Sequence, residues 1–60
     1  MAVEIKLSDG TTLRTGPESI LAELVRAFRD REQAFVAVQT EEGETFHVNP
    51  EQVVYVRPVR

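Results

Sequence analysis

The sequence predicts an α+β domain in the order ββαβββ, an antiparallel sheet of two repeated hairpins plus a final strand, with one helix packed on one face. Three observations predict it. One segment plan recurs at an offset of 33 residues, a stretch of helical periodicity separates its two copies, and a β-branched run follows the second copy. The recurrence aligns Val3-x-Ile5 with Val36-x-Val38, Asp9-Gly10-Thr11-Thr12 with Glu42-Gly43-Glu44-Thr45, and Pro17-Glu18 with Pro50-Glu51. Residues 1–60 therefore read as one small domain, with repeat units at about 2–21 and 35–54 and a frayed basic tail at 57–60.

Val3, Ile5 and Leu7 alternate with Glu4 and Lys6, the pattern of a half-buried strand. A two-residue Asp9-Gly10 loop would split the apolar residues between two faces. A three-residue loop, Ser8-Asp9-Gly10, pairs Ile5 with Leu13 and keeps one face apolar. Gly10 suits the left-handed last position of such a loop. The helix is predicted from Pro17 to Arg31. Ile20, Leu21, Leu24, Val25 and Phe28 share one face, and Pro17 fits a first turn, where its missing N–H costs little.

The second hairpin repeats the argument. A Glu41-Glu42-Gly43 loop pairs Val38 with Phe46 and Val36 with Val48. Asn49-Pro50-Glu51-Gln52 carries a helix-start signal, yet Val53-Val54-Tyr55-Val56 is β-branched and aromatic, so one turn gives way to a strand that Pro58 is expected to end. The expected core is Val3, Ile5, Leu7, Leu13, Ile20, Leu21, Leu24, Val25, Phe28, Val36, Val38, Phe46 and Val48, joined by Val54 and Val56.

Composition bounds the function. Sixty residues bury only about 60% of the unfolded surface, so a domain of this size usually needs a staple. There is no Cys for a disulfide, and His47 alone cannot build a structural zinc site. Packing and oligomerisation remain. No apolar run reaches the roughly 18 residues of a membrane span, and the first residues lack the basic-then-apolar pattern of a secretory signal. A cytoplasmic protein without membrane contact is expected. The net charge of −3 argues against general nucleic-acid binding.

Catalytic chemistry is not expected. Gly10, Gly16 and Gly43 are taken by turns, leaving no phosphate-cradling loop. His47 has no nucleophile and orienting carboxylate in its pattern. The acidic tip Glu41, Glu42 and Glu44 matches no calcium loop, so neither metal nor cofactor is expected. What stands out is the sheet face opposite the helix. By strand alternation it holds Phe35, Ala37, His47, Val53 and Tyr55, more apolar than a solvated face. These five are the interface candidates of a small self-associating structural or adaptor module, a homo-oligomer (dimer or ring) with a possible protein partner. The alternative is a regulatory nucleic-acid binder that uses Lys6, Arg14, His47, Tyr55 and Arg57 on the open sheet face.

Overall fold

The computed structural model describes residues 1–30 and 32–59. Five strands lie in antiparallel sheets with one helix packed on them: β1 (Ala2–Leu7), β2 (Thr12–Arg14), α1 (Leu21–Arg29), β3 (Val36–Gln39), β4 (Thr45–Val48) and β5 (Val53–Val59), with a 3-10 turn at Pro50–Gln52 before β5. The strands divide into two sheets rather than one, β2-β1-β5 and β3-β4. An antiparallel bridge, Thr15 to Thr40, joins them at a corner. The Glu41 N–H reinforces it by donating to the Arg14 carbonyl at 3.0 Å.

Both hairpins take the three-residue register. Ile5 lies opposite Leu13, and Val38 and Val36 lie opposite Phe46 and Val48. The loops close with the same bonds: Leu7 N–H to Thr11 O at 2.8 Å and Gly10 N–H to Leu7 O at 3.0 Å, against Thr40 N–H to Glu44 O at 2.8 Å and Gly43 N–H to Thr40 O at 3.0 Å. Gly10 and Gly43 stand at φ of 95° and 89°, a region that residues with a Cβ rarely enter.

The repeat extends into the proline segments and moves the start of the helix. Ser19 N–H bonds Gly16 O at 3.1 Å, and Gln52 N–H bonds Asn49 O at 2.9 Å. Each proline segment therefore makes one turn only. The helix starts at Leu21 instead of Pro17, with Ile20 as an extended cap residue that makes no side-chain capping bond. The Met1 nitrogen donates to the Pro17 carbonyl, which a helix begun at Pro17 would need for itself. The helix is described to Arg29; Arg31, its expected end, lies outside the described residues.

The buried core is Val3, Ile5 and Leu13 from the first hairpin and Val36, Val38 and Val48 from the second. Leu7, Leu21, Leu24, Ala27, Phe28, Val53 and Val56 pack against it partly buried. Three residues expected in the core are exposed. Ile20 precedes the helix and is not held to its inner face. Phe46 faces inward on β4, which has no strand neighbour beyond β3, and is 41% exposed. Val54 is 62% exposed because β5 is irregular where Lys6 pairs with Tyr55 and Leu7 with Val53. Val54 is the extra residue of that bulge, so Val53 and Val56 both turn inward. Val53 is thus a core-facing residue and not part of the outer face.

The strand also continues through Pro58 to Val59, where a frayed end was expected. Pro58 lies opposite Val3, whose N–H and C=O are both directed to Thr15, at 3.0 Å to its Oγ1 and 2.9 Å from its N–H. The β1 strand therefore asks no N–H of residue 58, and proline is tolerated on the free edge. Arg60 lies outside the described residues.

Thr15 is 1% exposed, and its hydroxyl accepts the Val3 N–H. Thr15→Val keeps the shape and leaves that N–H unsatisfied. It is expected to destabilise the fold by about 1–3 kcal/mol, read by urea unfolding.

Candidate functional site

Two surfaces carry the sequence-predicted residues. The first is the outer face of the three-stranded sheet. Register sets Arg14, Glu4 and Arg57 in one cross-strand row and Thr12, Lys6 and Tyr55 in the next. Glu4 sits at the centre and is only 8% exposed. Its carboxylate accepts from Arg57 Nε at 2.5 Å and from the Tyr55 hydroxyl at 3.2 Å. The Arg57 hydrogen bond is the main cause that holds the Glu4 carboxyl below its ordinary value, against its own desolvation, with Tyr55 and the charges of Arg57 and Arg14 adding to it. Lys6 Nζ is engaged with the Gly10 carbonyl at 3.1 Å. Arg14 shares a groove with Glu41, Glu42 and Glu44 of the acidic hairpin tip. Lys6, Arg14, Tyr55 and Arg57 thus do share one face, but carboxylates lie among them.

The second surface is an apolar cleft between the two hairpins. Leu7, Leu13, Phe35, Phe46 and Val48 line it, with Ser8, Asp9 and His47 at its rim. Phe35 is 59% exposed although it lies against this cleft. Strand alternation would set it beside Ala37 on the outer face, but β3 begins at Val36, so Phe35 is free of that alternation. Ser8 and Gln52, which also line the cleft, are tied together: the Ser8 N–H donates to Gln52 O at 2.7 Å and its hydroxyl to the Gln52 side chain.

The five interface candidates therefore do not form one patch. Ala37 and His47 lie opposite each other on the outer face of the β3–β4 hairpin. Phe35 lines the cleft, Val53 packs on the core, and Tyr55 is bonded to Glu4 on the other sheet. His47 is likewise separated from the four cationic and aromatic residues it was grouped with, on the second hairpin. The sequence places Phe46 in the core and Glu4 on the outer face as a charge against nucleic-acid binding, and names neither as a site residue. Phe46 could have been found only by knowing that β4 ends the strand series. Glu4 needed the pairing of β1 with β5.

Among the described residues no cluster of three His, Asp or Glu side chains is placed to hold a metal ion. No described helix is long and apolar enough to cross a membrane. The chain matches no family model, no curated protein and no solved structure.

The depressed Glu4 carboxyl fixes a pH dependence. A group whose pKa is lower in the folded state stabilises the fold fully above its unfolded value and loses that contribution as pH falls through the folded value. Asp9, lowered mainly by its bond from the Thr11 N–H at 2.8 Å, acts in the same direction. Thermal unfolding of Glu4→Gln should show a lower Tm than the parent at neutral pH, and the two curves should converge as the pH falls through the lowered Glu4 value into acid.

Proposed function

We propose that this chain is a small non-enzymatic structural or adaptor module that works by self-association, with the cleft around Phe35 and Phe46 as its contact surface. The observation that carries the reading is the pair of large aromatics left 59% and 41% exposed beside a core of six buried residues. A two-stranded sheet is marginal without further cover, and β3–β4 is such a sheet.

Surface area supports the same reading. A folded monomer of 6.8 kDa exposes about 3,950 Å² on average, whereas this chain exposes 4396 Å². Its radius of gyration, 10.4 Å, is what about 60 residues give when compact, so the surplus is not that of an extended shape.

The nucleic-acid reading draws support from Lys6, Arg14, Tyr55 and Arg57 sharing a face. It is opposed by Glu4 at the centre of that face and by the acidic tip beside Arg14.

Sedimentation velocity over a micromolar-to-millimolar series tests the proposal. The weight-average mass should rise with concentration for the parent chain. Phe35→Glu, at an exposed position, should hold it at the monomer with an unchanged far-UV spectrum. A parent chain that stays monomeric throughout removes the reading, and salt-sensitive binding of single-stranded RNA that Arg14→Ala weakens would replace it with the nucleic-acid one.

A further inference from the structure

We infer that two copies of this chain join through the free edges of their β4 strands, in an antiparallel pairing with its two-fold axis at Phe46. The inference rests on the self-association reading and sets its contact along β4, the strand that carries Phe46 into the lining of the cleft. The strand series runs β5-β1-β2, turns the corner at Thr15 and Thr40, and continues β3-β4, so its two terminal edges belong to β5 and β4.

The hydrogen-bond phase of β4 is fixed by its loop. Thr40 N–H bonds Glu44 O at 2.8 Å, which makes Thr40 and Glu44 a bonded pair. Alternation then makes Val38–Phe46 and Val36–Val48 bonded pairs, and it turns the N–H and C=O groups of Thr45 and His47 away from β3. No backbone hydrogen bond outside the β3–β4 ladder reaches these groups among the described residues. Thr45, Phe46 and His47 are all exposed.

The two terminal edges differ in their protection. Strand β5 carries the bulge at Val54, a charge at Arg57 and Pro58, each a device that resists strand addition. Strand β4 is Thr-Phe-His-Val, with no proline, bulge or carboxylate. It is also self-complementary. A two-fold at Phe46 brings Thr45 of each copy opposite His47 of the other, so the outward N–H and C=O groups of both satisfy one another. The two Phe46 residues meet as a non-bonded pair on the inner face, where cross-strand side chains are closest. Phe46 then loses its exposure, and two marginal two-stranded sheets become one of four strands, with no like charges opposed in the paired segment.

Backbone amide exchange of the unmodified chain tests this directly. In dilute solution the Thr45 and His47 amides should exchange freely. At concentrations where sedimentation reports association, both should slow by about tenfold or more, while the Val54 and Val56 amides on β5 stay unchanged. A second measurement uses the absence of Cys from the chain. The paired Phe46 Cα atoms would lie about 4.5 Å apart, inside the range a disulfide spans. Phe46→Cys should therefore oxidise to a covalent dimer, and Val54→Cys should not at the same rate. An associated chain whose Thr45 and His47 amides remain fast overturns the edge pairing and leaves self-association standing. A chain that never associates overturns both.

Discussion

The corner at Thr15 is the constraint on which the rest of the molecule depends. Its hydroxyl and its N–H both engage Val3, so the strand leaving the first hairpin is locked against β1 up to that residue. This directs the Arg14 carbonyl outward to Glu41 and sets Thr15 against Thr40. The inner faces of the two hairpins then close on each other, with Val3, Ile5 and Leu13 on one side and Val36, Val38 and Val48 on the other. A buried hydroxyl is an expensive choice for a core position unless it is bonded, and here it replaces a backbone acceptor. Six buried apolar residues would be a thin core for two independent sheets. They suffice because one corner makes the sheets share it.

The two copies of the repeat are completed differently. They share loop bonds, register and the turn that follows, residue for residue. After that turn the first copy continues into a helix and the second into a strand. The strand returns to β1, which thereby gains neighbours on both sides. Among the described residues nothing equivalent returns along β3, which has β4 on one side and the corner on the other. Phe35 and Phe46 are left exposed on the less completed copy, while Tyr55 on β5 is exposed to a similar degree on the other sheet.

This history explains what could be read from the sequence. Hairpin registers were legible because the apolar face and the position of each glycine demanded the same pairing. The helix existed in the periodicity, but its start did not, since Pro17 and Pro50 introduce the same turn and only the residues after it decide the outcome. Face assignment along β5 failed at Val54. One inserted residue inverts every position on one side of it, and no residue type announces a bulge among four successive apolar residues. Val53 is displaced by that bulge, Phe35 by β3 starting one residue late, and Tyr55 by the division of the strands into two sheets. Glu4 reads as an ordinary outward strand residue until β5 is laid beside it, bringing Tyr55 and Arg57.

Pro58 has a consequence beyond its own strand. A sheet with two receptive ends can add copies without limit, because each addition exposes a fresh end. With its nitrogen turned outward on β5, Pro58 makes one end of the strand series a terminator. Under the pairing proposed for β4, strand addition is confined to that end and stops at two copies; Pro58, with the Val54 bulge and Arg57, is what would keep such an association finite rather than fibrous.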